Sequence, residues 1–215
     1  MASTILATFD SIEHARDAVR DLTDSGFDRS DIGLAVYDVN NEYGDYVSED
    51  VKGDEGAGFG ATFGSIFGAL VGLAAITLPG IGPVIAAGPL AAAFGALAGA
   101  GVGAAAGAVT GGITASLIKM GVPEEEAHYY AESVRRGSAL VSVTATEFDA
   151  ERAERILQTH NPVDLDRRVA QWRARGWNNS FDPKVDPYTA EDLTSERETY
   201  ETNPDSGTVR RYPRT

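Results

Sequence analysis

The stretch that decides the fold runs from Gly56 to Ile118 and reads GAGFGATFGSIFGALVGLAAITLPGIGPVIAAGPLAAAFGALAGAGVGAAAGAVTGGITASLI. Its 63 positions hold no charged side chain, whereas the remaining 152 residues carry all 18 basic and all 32 acidic residues of the chain. The surface of an ordinary domain intersperses charges every few residues. The sequence therefore predicts two parts that belong in different environments.

Glycine recurs at every fourth position in two runs within this stretch, which we call the first and second glycine zippers. A spacing of four keeps successive glycines on nearly the same side of a helix and leaves a groove into which another helix packs closely. Each glycine costs a helix about 1 kcal/mol relative to alanine, so close packing has to compensate for that loss. The first zipper comprises Gly56, Gly60, Gly64, Gly68 and Gly72, and the second comprises Gly95, Gly99, Gly103, Gly107 and Gly111.

The two zippers predict a long helical hairpin. Its first arm would run from Gly56 to Leu78 and its second from Leu90 to Ile118. At about 1.5 Å per residue these helices would be about 34 and 43 Å long, enough to cross a hydrocarbon core of about 30 Å. A cluster of helix breakers between the arms predicts the turn: Pro79, Gly80, Gly82, Pro83, Gly88 and Pro89.

Two environments would suit such a hairpin; we expect the first, in which it also self-associates and displays the acidic domain, and the second is the alternative. One is a lipid bilayer, with both termini in the cytoplasm because Lys52 and Lys119 flank the outer ends of the arms. The other is a soluble cytoplasmic homo-oligomer, a ring, cage or fibre, whose hairpins pack into a common hydrophobic core. The expected partners are further copies of the chain and a bilayer.

The sequence before the zippers predicts strand, helix and strand. Ser3 to Phe9 is apolar and β-leaning, and the pair Asp10 and Glu13 marks the start of a helix that ends at Gly26. A second strand is expected within Asp31 to Val39, and a short one around Tyr43 to Val47.

After the zippers the pattern continues as helix, strand and helix. Pro123 and the three glutamates that follow it open a helix, and Arg135, Arg136 and Gly137 finish its last turn. Ser138 to Ala145 predicts a strand, and Asp149 is expected to cap the next helix. Without the insertion, the order β-α-β-(β)-α-β is typical of a ferredoxin-like split βαβ domain, so the predicted class is α+β.

The predicted organisation has four parts. Residues 1–52 form the first half of the ferredoxin-like domain with an acidic loop, 53–120 form the hairpin, 121–160 the second half, and 161–215 a C-terminal helix and polar tail. Leu165, Val169 and Trp172 mark one face of that helix. From Asn178 onwards we expect a largely disordered arm, except for a helix after Thr189.

The chain offers no set of residues that predicts catalysis or metal binding. A net charge of −14 argues against nucleic acid as a partner. Cysteine is absent, and His14, His128 and His160 are not spaced as metal ligands. The glycines do not follow a dinucleotide-binding pattern, since Gly101-Val-Gly103 continues to Ala106. We therefore expect no enzyme activity, no cofactor and no small-molecule substrate.

Two charged regions have two interpretations each. The loop from Asp38 to Glu55 is a solvated acidic linker or a weak divalent-cation site. The arginines after Asp149 either contact anionic lipid or pair with local acids such as Glu151, Glu154 and Asp166. These arginines, which have Trp172 and Trp177 nearby, are Arg152, Arg155, Arg167, Arg168, Arg173 and Arg175.

The succession of segments resembles a known family. Ile5 to Asp10, Gly26-Phe27 and Asp31 to Val36, followed by acids and a glycine zipper, are similar to the bacterial general stress proteins of the YflT-like, heat-induced class. Trp172 to Trp177 and Pro187 to Glu191 resemble the tails of glycine-zipper members of that group. The resemblance implies a stress-induced, non-catalytic role and a ferredoxin-like domain.

Overall fold

The computed structural model of the chain describes residues 2–40, 70, 73–98, 112–200 and 207–214. These residues form an α+β structure with one six-stranded antiparallel sheet and seven helices. The strands are β1 (Ala2–Phe9), β2 (Ile32–Tyr37), β3 (Ala74–Leu78), β4 (Gly82–Ala87), β5 (Ala139–Thr146) and β6 (Arg210–Pro213). The helices are α1 (Ile12–Asp24), α2 (Gly88–Ala98), α3 (Gly112–Lys119), α4 (Glu124–Arg135), α5 (Glu147–Gln158), α6 (Leu165–Ala174) and α7 (Ala190–Glu198).

The strands follow the order β3-β4-β2-β5-β1-β6 across the sheet. β5 lies between the first two strands of the chain, so that Val143 is the partner of Ile5 on one side and of Ile32 on the other. The predictions of α+β class and of strands within 3–9, 31–39 and 138–145 are confirmed. The strand expected around Tyr43 to Val47 lies outside the described residues.

Helices α1 and α5 cover one face of the sheet. Their apolar residues recur at helical spacing, which places them on one side of each helix against the strands. The buried residues are Ala15, Ala18, Val19 and Leu22 of α1 and Ala150, Ala153 and Leu157 of α5.

The caps of these two helices differ from the prediction by a few residues. Ser11, rather than Asp10, is the N-cap of α1, and its hydroxyl accepts hydrogen bonds from the backbone N–H groups of Glu13 and His14. Thr146, rather than Asp149, is the N-cap of α5, and its hydroxyl donates to the Asp149 carboxylate at 2.9 Å. Serine, threonine and aspartate are all preferred at the N-cap, so a pattern that contains two of them locates a helix start only approximately.

Helices α2, α3, α4 and α6 cover the opposite face. Leu90 and Phe94 of α2, Leu117 of α3, Tyr130 of α4 and Trp172 of α6 belong to one buried cluster with Leu6 and Leu140 of the sheet. The sheet is therefore enclosed between two helical layers. Several residues of the predicted hairpin lie within this second core.

The predicted first arm is wrong at its C-terminal end, because Ala74–Leu78 is strand β3. Leu78 is buried and Ile76 packs against the same core, while Ala75 and Thr77 are exposed, which is the two-residue period of a strand. The chain reverses at Pro79 and Gly80, where the Ile81 N–H donates to the Leu78 carbonyl at 3.1 Å and Gly80 has φ of 74°. Proline followed by a residue of positive φ is the composition of a type II turn, so the breakers make a β-hairpin rather than a helical one.

The predicted second arm is not one continuous helix. The Ser116 hydroxyl of α3 donates to the Ala93 carbonyl of α2 at 3.1 Å. In a straight helix, two residues 23 positions apart would be separated by about 34 Å. Helices α2 and α3 instead pack against each other, and they have 11 and 8 residues.

The C-terminal residues are more ordered than predicted. The expected helix after Thr189 is α7, with a capping box between Thr189 and Asp192. The expected disorder is wrong for residues 178–189, since Phe181 is buried and Tyr188 packs against the same core. Strand β6 then pairs with β1, with Tyr212 opposite Thr4.

Candidate functional site

The zipper residues that the sequence predicts as a packing site are placed only in part. Gly95 lies in α2, and the other nine zipper glycines lie outside the described residues. Their packing stays a prediction.

The predicted turn residues all lie in the folded body. Pro79 and Gly80 form the turn, Gly82 and Pro83 begin β4, and Gly88 and Pro89 begin α2. A Cβ atom on Gly80 would lie 2.7 Å from the Pro183 Cα, and one on Gly88 would lie 2.0 Å from the Ile32 carbonyl oxygen. Both glycines also have positive φ. These residues therefore allow close backbone packing within the fold.

The densest group of charged side chains lies where α4, α6 and α7 meet, and we call it the arginine–glutamate network. Glu132 of α4 is fully buried, and its Oε1 accepts hydrogen bonds from Arg135 Nη2 at 2.7 Å and from Arg136 Nε at 2.6 Å. Spacings of three and four residues bring these side chains together on one side of the helix. The carboxylate thus holds two guanidinium groups at the end of α4.

Glu196 of α7 extends the network to a second and a third helix. Its Oε1 accepts a hydrogen bond from Arg136 Nη1 at 2.6 Å, and its Oε2 accepts one from Arg175 Nη1 at 3.1 Å. The Tyr200 hydroxyl also donates to Glu196, and it accepts a hydrogen bond from Trp172 Nε1 at 2.6 Å. This carboxylate therefore fastens α7 to α4 and α6.

Aromatic rings surround the guanidinium groups of the network. The Arg135 Cζ lies 5.8 Å from the ring centroid of Phe181 and 5.3 Å from that of Tyr188, and the Arg136 Cζ lies 4.9 Å from that of Trp172. Arg135 Nε and Nη1 are buried without a hydrogen-bond acceptor among the described residues. The faces of the rings provide cation–π attraction to this cation.

Burial and mutual contact shift the pKa values of the network in opposite directions. Burial alone would lower the pKa of Arg136, but the carboxylates of Glu132 and Glu196 outweigh it and raise that pKa above its ordinary value. Burial alone would raise the pKa of Glu196, but hydrogen bonds from Tyr200 and Arg136 outweigh it and lower that pKa. Burial and the hydrogen bond to Glu196 raise the pKa of Tyr200. The shifts of both Arg136 and Glu196 favour the ionised form of the side chain.

A second polar cluster fixes β6 to the helices. The Tyr212 hydroxyl donates to Glu126 at 2.5 Å and lies 3.0 Å from the Tyr130 hydroxyl. Arg210 pairs with Glu126 and with Asp166, the latter at 2.6 Å. Burial is the main cause that raises the pKa of both tyrosines. Glu126, Asp166, Arg210 and Tyr212 line an open groove of about 670 Å³, in which the acids pair with arginines.

The arginines for which the sequence left two interpretations mostly contact acids. Arg152 pairs with Asp149 at 2.8 Å, Arg155 with Glu151 at 3.9 Å, and Arg173 with Glu125 at 3.6 Å. Arg168 pairs with Asp10, and Arg175 pairs with Glu196. These contacts agree with pairing to acids, although several partners lie far away in the sequence.

The histidines have protein partners or face solvent. His128 Nδ1 accepts a hydrogen bond from the backbone N–H of Phe181 at 3.1 Å, and His160 Nε2 lies 2.8 Å from the Asp21 carboxylate. His14 is exposed on α1. Across the part of the chain that the structure describes, no three or more His, Asp or Glu residues are grouped so as to hold a metal ion.

The arrangement of the network is that of a structural clamp, because two glutamates bind three arginines and so join α4, the end of α6 and α7. Sequence reasoning assigned Arg135 and Arg136 only to the end of α4 and did not single out Glu132 or Glu196. The spacing of Glu132 to the two arginines was a visible signal. The contact between Arg136 and Glu196 spans 60 positions and had no local signal.

Comparisons with protein-family models, curated proteins and solved structures find no match to this chain. Among the helices of the described residues, none has the length and apolar character needed to cross a membrane.

Proposed function

We propose that the protein is a non-enzymatic stress-response protein that associates with further copies of itself through its glycine zippers. The observation that carries the proposal is that elements of the acidic body flank both zippers. β2 precedes the first zipper and β3 follows it. The second zipper begins at Gly95 within α2, and α3 follows it. The chain therefore enters and leaves each zipper through the folded body, and every copy carries the same two uncharged segments.

The distribution of charge supports association through the zippers rather than through the body. The chain has a net charge of −14, and none of its charged residues lies between Gly56 and Ile118. Two acidic bodies repel each other, whereas glycine-notched segments gain contact when they pack closely. The clamp formed by Glu132, Arg136 and Glu196 supports a structural role for the polar residues of the body. The stress-response part of the proposal rests on the resemblance of the chain's segments to the general stress proteins.

We also propose that β1, α1, β2, β5, α5 and β6 form a ferredoxin-like unit. The strand order β6-β1-β5-β2 supports this assignment, as does the position of α1 and α5 on one face of the sheet. In this arrangement β3, β4, α2 and α3 are additions beside β2. They connect the zippers to the unit.

The alternative is a membrane-attached protein with both termini in the cytoplasm. After β3, α2 and α3 are assigned to the body, the uncharged residues that remain are 56–69, 71–72 and 99–111. As a helix, residues 56–72 would be about 26 Å long and residues 99–111 about 20 Å, both shorter than a hydrocarbon core of about 30 Å. These lengths favour packing between copies.

Sedimentation of the full-length protein in detergent-free buffer tests the proposal. We expect particles larger than the 22.7 kDa monomer, and we expect Gly64→Leu or Gly103→Leu to weaken assembly by about tenfold or more because a side chain separates packed helices. Ala170→Leu, on the exposed side of α6, is the matched control and should assemble as the parent does. Gly80 and Gly82 are unsuitable controls because both need positive φ.

Two results would count against the proposal. One is a monomer in plain buffer at every concentration. The other is protein that pellets with membranes and is released only by detergent, which would support the membrane alternative.

A further inference from the structure

The two edges of the described sheet differ in chemistry. The edge strand β6 carries Arg210 and Arg211 and ends at Pro213, and charges and proline are the features by which natural sheets prevent pairing at an edge. The opposite edge strand β3 reads AAITL and has neither. Only the β6 edge therefore carries residues that hinder pairing with a further strand.

The register of β3 shows which backbone groups face outward. Thr77 is opposite Pro83 of β4, and the Pro83 carbonyl accepts a hydrogen bond from the Asp38 N–H at 2.8 Å, so Pro83 faces β2. Directly opposed residues of an antiparallel pair both point toward each other or both point away. Thr77 therefore directs its N–H and C=O away from β4, and by alternation Ala75 does the same.

The outward-facing residues are accessible. Ala75 and Thr77 are both exposed, whereas Ile76 and Leu78 pack toward the core. The edge thus presents two N–H and two C=O groups beside small side chains. Residues 73–98, which contain this strand and its neighbour β4, have no charged side chain.

We propose that β3 pairs antiparallel with β3 of a second copy of this chain, on a twofold axis that passes beside Ile76. In this register Ala75 is opposite Thr77 of the other copy, and these two residues form two backbone hydrogen bonds with each other. The twofold axis creates a second, identical pair between Thr77 and Ala75 of the other copy. Ala74 is opposite Leu78, so a small side chain meets a large one. The two sheets become one continuous sheet. The proposal goes beyond the zippers because it uses residues of the folded body.

The second copy is the occupant that the charges favour. A chain of net charge −14 repels its own copies over most of its surface, but β3 and its neighbour β4 carry no charged side chain. The strand also satisfies the condition of an isologous contact, in which one segment is complementary to itself. Every outward N–H has an outward C=O at the matching position.

A single introduced cysteine tests this register. The chain contains no cysteine, so in Ile76→Cys the new thiol has only its counterpart in another copy as a partner. Directly opposed residues across a non-hydrogen-bonded pair have Cα atoms about 4.5 Å apart, which is within the range that a disulfide spans. We expect a disulfide-linked dimer after mild oxidation. Thr194→Cys, at an exposed position of α7, should remain a monomer on a non-reducing gel.

Thr77→Pro provides the second arm of the test. Proline removes an N–H that faces away from β4, and edge strands tolerate proline at such positions. The double variant Ile76→Cys with Thr77→Pro should lose the crosslink while it keeps the circular dichroism spectrum of the parent. Ile76→Cys with Gly64→Leu should still crosslink, which separates this contact from the zippers.

Amide exchange on the unaltered protein keeps the test independent of folding defects. The amides of Ala75 and Thr77 should exchange about tenfold or more slowly at high concentration than at low concentration, whereas the Ile76 amide, bonded to β4, should be protected at both. Fast exchange of Ala75 and Thr77 at all concentrations would overturn the proposal. Protection that does not depend on concentration would also overturn it, because the strand would then be covered by its own chain.

Discussion

Glu196 is the residue on which the contact between α7 and the rest of the body depends most. Its carboxylate is 8 % exposed and lies within hydrogen-bond distance of Arg136, Arg175 and Tyr200. A buried ion pair stabilises a fold little compared with apolar packing, but loss of one partner is costly because it leaves the other charge buried and unpaired. Loss of the Glu196 charge would leave the buried Arg136 with one carboxylate, that of Glu132, which it already shares with Arg135.

Replacement of Glu196 with glutamine should lower the free energy of unfolding by about 2 kcal/mol or more, because glutamine keeps the shape but not the charge that the arginines need. Urea unfolding at pH 7 measures the change. Glu198→Gln removes the same charge from an exposed position of the same helix and should change the stability by less than about 0.5 kcal/mol.

The difference in free energy of unfolding between the parent and Glu196→Gln depends on pH through the pKa of Glu196. The pKa is lower in the folded protein than in the unfolded chain, so the carboxylate contributes stability above the ordinary glutamate pKa of about 4.3. That contribution is lost as the pH falls through the lower pKa of the folded state. The gap between the parent and Glu196→Gln should therefore narrow in acid, and a gap of constant size from pH 7 to pH 3 would show that the charge of Glu196 does not stabilise the fold.

At the scale of elements, α7 shows how a local cap controls a distant contact. Thr189 Oγ1 accepts a hydrogen bond from the Asp192 N–H at 3.2 Å, and the Asp192 carboxylate accepts one from the Thr189 N–H at 2.9 Å. The helix they begin carries the buried residues Leu193 and Glu196. The cap and the clamp therefore hold the same helix at its two ends.

Thr189→Ala should cost about 1 kcal/mol, since it removes the side-chain acceptor of the cap. Because Glu196 binds Tyr200, which accepts the hydrogen bond of Trp172, fraying of α7 should also alter tryptophan fluorescence before global unfolding. Thr194→Ala, in the exposed middle of α7, is the matched control and should leave the fluorescence unchanged. An equal response from both variants would show that the cap has no special role.

Helices and strands that two independent sequence patterns mark were predictable, whereas those that only one pattern marks were not. α4 has glutamates in its first turn, an apolar face and Gly137 after its end, so its bounds followed from the pattern. β3 lies among alanines and glycines that fit a strand or a helix equally well, and only its partner β4 decides between them. β6 is four residues long with two arginines, so its strand structure depends on its pairing with β1.

At the scale of the whole molecule, the separation of charge from the uncharged stretch sets the conditions for assembly. Chains of net charge −14 repel each other at low ionic strength, and at physiological ionic strength salt screens the repulsion between charges that lie more than about 8 Å apart. Contacts between uncharged segments are less sensitive to salt. The balance between charge repulsion and contact of the uncharged segments therefore depends on the ionic strength of the buffer.

Assembly should therefore strengthen as salt rises from about 0.01 M to about 0.15 M, where the Debye length falls from about 30 to about 8 Å. Sedimentation at a fixed protein concentration measures the shift toward larger particles. The control is the same series at constant ionic strength with uncharged osmolyte. Dissociation by salt would mean that ion pairs between copies, rather than uncharged contacts, hold the assembly together.

The position of β5 between β1 and β2 also has a consequence during synthesis. A ribosome completes the whole uncharged stretch before it makes β5, and β6 comes later still. Until then β1 has neither of its neighbours in the sheet, and the apolar segments emerge from the exit tunnel beside an unfinished core. During this interval the nascent chain exposes apolar residues that the folded protein buries, so we expect it to depend on chaperones more than the folded protein does.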